Sequence, residues 1–170
     1  MLKVIHQEYV IKKTNMKQLK EIIQEKLKVN SQTKIDIYNY HPTDKDLTRL
    51  IQKLIKQRGQ EADLNDIDTS KITDMSQLFE LSHFNGDISK WNVSNVKTMN
   101  SMFKRSKFNG DISNWDVSNV EDMDGMFAWS NFDCYNGDIS NWEPSKNVTT
   151  RNMFIGTPKQ KWKKIPSWIR

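Results

Sequence analysis

Apolar and polar positions alternate along this chain in a pattern that copies itself. Phe84-Asn85-Gly86-Asp87-Ile88-Ser89-Lys90-Trp91-Asn92-Val93-Ser94-Asn95-Val96 returns 24 residues later as Phe108-Asn109-Gly110-Asp111-Ile112-Ser113-Asn114-Trp115-Asp116-Val117-Ser118-Asn119-Val120. A shorter copy, Asn136-Gly137-Asp138-Ile139-Ser140-Asn141-Trp142, comes 27 residues on, lengthened by Asp133, Cys134 and Tyr135. A fainter one precedes them at Ala62 to Ile72, which makes four units over 62–154. Within a unit, Trp91 and Val93 stand two apart, as on one face of a short strand. Met99, Met102 and Phe103 then fall at i, i+3 and i+4, the spacing of one helix face. Each unit therefore predicts a strand, a turn, a helical turn or two, and a turn back. Gly86, Gly110 and Gly137 are expected to take turn conformations that a side chain would resist.

The first 60 residues read as two longer, worn units. Met16, Leu19, Ile22, Ile23 and Leu27 predict one amphipathic helix; Leu47, Leu50, Ile51, Leu54 and Ile55 predict a second, with Thr43 or Asp44 as N-cap and Gly59 closing it. Val4-Ile5, Ile35 to Tyr38 and Leu64 to Asp68 are the strand candidates beside them. A unit of 24 residues cannot bury its own apolar face, so neighbours must stack and place Ile, Trp, Val, Met and Phe in ladders. The fold class predicted is α/β: a solenoid with one parallel sheet of six strands and short helices. Residues 1–61 would form N-terminal capping units, 62–154 the four repeats, and 155–170 a C-terminal cap with Trp162, Pro166 and Trp168 over the last rung.

Composition narrows this picture. Hydrophobic residues make up 36% of the 170, with a mean hydropathy of −0.78, below the ~45–50% usual for globular chains and suited to an elongated stack. The net charge of +5 hides three blocks: 13 basic and 6 acidic residues over 1–60, 8 and 15 over 61–154, and 5 and 0 over 155–170. The acidic middle would repel phosphate, so direct nucleic-acid binding is left to the basic ends. No apolar run approaches a membrane span, and Lys, Glu and Gln interrupt every apolar run of 1–24, so a cytoplasmic location is expected.

The core Gly-Asp-Ile-Ser-Asn-Trp-Asp-Val-Ser-Asn-Val and the Met-Phe pair after it resemble the BspA-type leucine-rich-repeat family of bacterial surface proteins and lipoproteins. That resemblance implies a leucine-rich-repeat-like solenoid and a binding activity rather than catalysis, with a surface adhesin or host-protein binder as one expectation.

Little in the sequence points to chemistry. A single cysteine, Cys134, and three scattered histidines, His6, His41 and His83, offer neither a zinc set nor a nucleophile–base pair. Asp63, Asp87, Asp111 and Asp138 recur once per unit and are expected to cap turns rather than to line a calcium ladder. No enzyme, metal or cofactor is expected. Two surfaces are candidates for a partner. One is the outward row positions Asp66, Lys90, Asn114 and Asn141 together with Asp68, Asn92, Asp116 and Glu143, an acidic face suited to a protein with a basic surface. The other is an aromatic corner of Trp129, Phe132 and Tyr135, with core filling as the alternative. The expected function is a protein-binding module, such as an inhibitor of a nucleic-acid-handling effector of the anti-CRISPR kind carried by a phage or mobile element.

Overall fold

A computed structural model of the chain describes residues 42–133, 138–157, 166, 168 and 169. Residues 1–37 and 38–170 form two units, and every described residue belongs to the second. The helix expected over 16–27, the strands expected at Val4-Ile5 and Ile35–Tyr38, and Cys134, Tyr135, Gly137 and Trp162 lie outside the described residues.

The helix expected from the Leu47-to-Ile55 periodicity is present as α1, Asp44–Arg58. Leu47, Ile51 and Leu54 are its buried stripe. Asp44 and Asp46 in the first turn and Lys56 and Arg58 in the last match the sign of the helix dipole. Thr43 is the N-cap residue, and Gly59, at φ 96°, closes the helix by donating its N–H to the Ile55 carbonyl at 2.9 Å. Arg58 then forks onto Asp66, with Nη1 and Nη2 each 2.7 Å from a carboxylate oxygen, and ties the helix end to the first repeat.

The repeats do not build the predicted sheet. Among the described residues there is no β-strand and no helix other than α1; the β pairing between successive units is confined to isolated parallel bridges, at Asp63–Asp87, Asp74–Thr98, Thr98–Asp122 and Asp122–Thr149. The expected α/β leucine-rich-repeat solenoid, with one parallel sheet and short helices, is thereby corrected. Local turns consume the backbone donors a strand would need. Trp91 N–H bonds the Ile88 carbonyl and Val96 N–H the Val93 carbonyl, one on either side of the expected strand. Between them, side chains capture the N–H two residues on: Asp87 takes that of Ser89, and Asn92 that of Ser94. Asp63, Asp68, Asp111, Asp116 and Asp138 do the same, in keeping with turn-capping aspartates.

The Met-Phe segment is not an α-helix either, because its N–H groups are divided between two uses. In 99–106, Met102, Lys104 and Ser106 donate three residues back, to Met99, Ser101 and Phe103. Met99, Ser101, Phe103 and Arg105 donate instead across to Asp122, Asp124, Met126 and Ala128 of the next unit, at 2.8–2.9 Å. The same alternation holds over 75–82 and 123–130. It requires left-handed backbone at Gln77, Leu81, Ser101, Arg105, Trp129 and Asn152, with φ between 54° and 58°. Each such residue costs roughly 1–2 kcal/mol, offset at Gln77, Leu81, Ser101, Arg105 and Trp129 by a backbone bond that locks two units together.

Side-chain ladders complete the stack. Phe79, Phe103, Phe127 and Phe154 lie parallel with centroids 5.5, 5.6 and 5.5 Å apart. Trp115, Trp142 and Trp168 stack at 6.4 Å per step. The buried indole N–H groups of Trp91, Trp115 and Trp142 reach back to the carbonyls of Leu64, Ile88 and Ile112, which gives a buried polar group its partner inside the preceding unit. Asn85 and Asn109 accept the N–H groups of Asn109 and Asp133, and Asn95 and Asn119 donate to the carbonyls of Ser70 and Ser94. One hydrophobic core runs from Leu47 through the Ile, Trp, Val, Met and Phe rungs to Met153.

Two glycine positions differ from expectation. Gly86 and Gly110 do not have positive φ; Gly86 is small because the preceding unit approaches closely there, and Gly110 because the Phe108 ring of its own unit lies against it. A Cβ on Gly86 would collide with the Ala62 carbonyl oxygen, and one on Gly110 would meet the Phe108 ring at 2.9 Å.

Candidate functional site

Apart from Leu81, Trp129 and Ile155, the large apolar side chains are spent inside the stack, so what a partner mainly meets are the residues between rungs. Ile88, Trp91, Val93 and Val96 are buried while Lys90, Asn92 and Asn95 are exposed, and the next unit repeats this with Asn114, Asp116 and Asn119. Stacking at 6.4 Å per step on the tryptophan ladder therefore carries equivalent surface residues in rows. The structure keeps Lys90, Asn114 and Asn141 exposed in one row, and Asn92, Asp116 and Glu143 exposed in the next. Asp68, in register with the second row, is half-buried and accepts the Ser70 N–H.

Asp66 behaves differently from its row. Its carboxylate is gripped by Arg58, which holds its pKa below the usual value against the opposing effect of burial. It is a fastening between α1 and the first repeat. Asp116 is also held below the ordinary carboxylate value, first by the Ser118 hydroxyl and then by the Ser118 N–H, and it stays charged at neutral pH. Asp87, outside these rows, is lowered chiefly by the Ser89 N–H.

The aromatic corner divides. Trp129 is exposed, at 57% of its surface, whereas Phe132 is fully buried and stacks on Phe127 at 4.1 Å; Phe132 is core, not contact surface. Tyr135 lies outside the described residues. Beside Trp129 runs an open groove of about 460 Å³, lined by Ser101, Asp124, Gly125, Arg151 and Asn152 among others. Position 125 lies in the row of left-handed residues that holds Gln77, Ser101 and Asn152, and its glycine leaves a notch there. The groove escaped the sequence reading because it depends on which turn residues line up across units. Its signal was the glycine standing where neighbouring units carry a side chain.

Among the described residues no group of three His, Cys, Asp or Glu side chains is placed to hold a metal ion. No helix among them is long and apolar enough to cross a membrane.

Stacked turns with rows of exposed, variable residues define a repeat protein whose surface is a regular array. The chain belongs to the family described as Mycoplasma protein of unknown function, DUF285, which matches residues 45–168. This corrects the resemblance to the BspA-type leucine-rich repeats, whose implied parallel sheet is also missing among the described residues. No curated protein and no solved structure matches the chain.

Proposed function

We propose that the protein is a non-enzymatic protein-binding module whose exposed rows meet a partner with a basic surface, of the nucleic-acid-handling kind, in the cytoplasm. The supporting observation is the row of Asn92, Asp116 and Glu143, exposed at fixed spacing on a stack whose interior is fully packed. Two carboxylates in adjacent units, with Asp68 behind them, offer a negative strip to lysine and arginine side chains. Rigidity helps, because little side-chain or backbone order has to be gained when the partner docks.

The test compares the full chain with its Asp116→Lys/Glu143→Lys variant in affinity capture followed by quantitative mass spectrometry. Partners of the acidic row should drop at least about tenfold in recovery with the variant, and should weaken between about 50 and 300 mM salt. Equal recovery by the two proteins refutes the acidic row as the binding face.

A further inference from the structure

We propose that the groove beside Trp129 is a carbohydrate site that takes one neutral hexopyranose ring, a site distinct from the acidic row. Three observations carry it.

The first is a preorganised aromatic platform. Trp129 is more than half exposed, yet its ring is seated: Gly156, φ 71°, lies against it so closely that a Cβ there would collide with the indole. Its backbone is pinned by its N–H to the Ile155 carbonyl at 2.7 Å. One aromatic face is thus backed by protein, and the side chain is ordered before any ligand arrives. An indole platform is suited to the patch of C–H groups on one face of a pyranose.

The second is the electrical neutrality of the groove. Lys104 is paired with Glu80 at 3.0 Å, and Arg151 stands 3.9 Å from Asp124, which also accepts the Arg151 N–H at 2.7 Å. A charged ligand would have to compete with these internal pairs. A neutral ligand with several hydroxyl groups, each both donor and acceptor, can use Asp124, Arg151, Asn100 and Asn152 together.

The third is shape and the state of the backbone. The volume of about 460 Å³ falls within the ~300–1,000 Å³ of small-ligand sites, and the Gly125 notch deepens it. The N–H groups of Ser101, Gly125 and Trp129 along this face are already bonded to the next unit, so recognition at the notch and the platform falls to side chains.

The repeat itself supplies variants that keep the fold. Asn152 occupies the row of Gly125 with the same left-handed backbone, and Arg105 occupies that of Trp129 in the preceding unit. Gly125→Asn fills the notch; Trp129→Arg removes the platform. Methyl β-D-glucopyranoside, methyl β-D-galactopyranoside, methyl α-D-mannopyranoside and lactose are offered to the full chain in saturation-transfer NMR and calorimetry. At least one should bind with a Kd on the order of 1 mM, and each variant should weaken it at least about tenfold while its thermal transition stays cooperative. Lactose binding tighter than the galactoside identifies the end of a glycan as the ligand, and equal binding identifies a free sugar; both support the site. The Asp116→Lys/Glu143→Lys variant should bind the sugar as the wild type does, so failure of the acidic row and failure of the groove are separable. No binding by any probe at about 50 mM, fifty times that Kd, overturns the inference. So does binding that both groove variants retain, or a protein partner lost in Trp129→Arg that no glycoside displaces.

Discussion

Among the described residues no repeat precedes the first one, and Asp44 accepts its edge donors. In later units Lys97 N–H bonds the Thr73 carbonyl and Glu121 N–H the Lys97 carbonyl. At the equivalent point of the first unit, Thr73 N–H instead meets the Asp44 carboxylate at 2.8 Å, with the Thr73 hydroxyl at 2.6 Å and Asp74 N–H at 3.3 Å. Asp44→Ala removes all three contacts and an acidic group from the first turn of α1. The site is open to water, so the loss should resemble that of a helix cap, about 0.5–2 kcal/mol, plus about 0.3–1 kcal/mol for the dipole. A total near 2 kcal/mol should lower the urea midpoint by about 1 M with an unchanged slope. Acid gives a second handle. Burial pushes the Asp44 carboxyl up, but the Thr73 and Asp74 hydrogen bonds outweigh it, leaving the pKa below its ordinary value. A depressed native pKa means that the stabilisation is complete above the unfolded pKa of about 3.9 and disappears as pH falls through the lower native one. The gap between wild type and Asp44→Ala should therefore be constant near neutrality and close under strong acid. Thr73→Val, which removes only the hydroxyl, should combine with Asp44→Ala to less than the sum of the two. A gap below about 0.3 kcal/mol at pH 7, or one that widens on acidification, would refute this role.

Other expectations are simpler to check. Gly86→Ala should destabilise by about 3 kcal/mol or more, because the obstacle is the Ala62 backbone, while Gly59→Ala, with open space around it, should cost only about 1 kcal/mol through its φ; equal midpoints in urea would contradict the close-approach reading. Trp115→Phe should cost about 2 kcal/mol, from the lost bond to Ile88 and the gap beside Trp142, measured by thermal unfolding; a change under about 0.5 kcal/mol would show that the indole N–H is not structural. Phe132→Ala should cost about 3–5 kcal/mol and Trp129→Ala less than about 1 kcal/mol, and the reverse order would invert the assignment of core and surface at that corner.

Much of the interior was legible because burial leaves a periodic trace. Every rung read from the repeat, from Ile88 and Trp91 to Met102 and Phe103, is buried, and α1 begins and ends at its expected caps. Secondary structure was less legible, since spacing reveals which side chains face inward but not where each N–H goes. Trp91 and Val93 do point inward two apart, yet turns closed by Ile88, Asn92 and Val93 bend the backbone between them. Met99, Met102 and Phe103 share a face, yet alternate donors leave the segment for the next unit. Left-handed residues such as Gln77, Ser101 and Trp129 carry no glycine to announce them. On the surface, Asn92, Asp116 and Glu143 were readable as exposed, whereas the Arg58 grip on Asp66 joins elements that no repeat relates. Trp168 is an intermediate case: it stacks on Trp142, and Ile165-Pro166-Ser167-Trp168 echoes Ile139-Ser140-Asn141-Trp142 26 residues earlier, a signal that could have extended the tryptophan ladder by one step.

The lengthened corner of the last full repeat shows how such a chain can vary. Trp91 and Trp115 reach back 27 residues for their carbonyl partners, and Trp142 reaches back 30, yet Trp142 lies on Trp115 at 6.4 Å, the same step at which Trp168 lies on Trp142. Asn109 fixes the backbone before the corner by accepting the Asp133 N–H, and Asp138 restores it after by taking that of Ser140. Register is thus reset once per turn rather than carried along the chain. A descendant sequence can gain or lose residues at such a corner without displacing the rungs beyond it, and a grafted loop placed between those two clamps should leave the neighbouring units where they are.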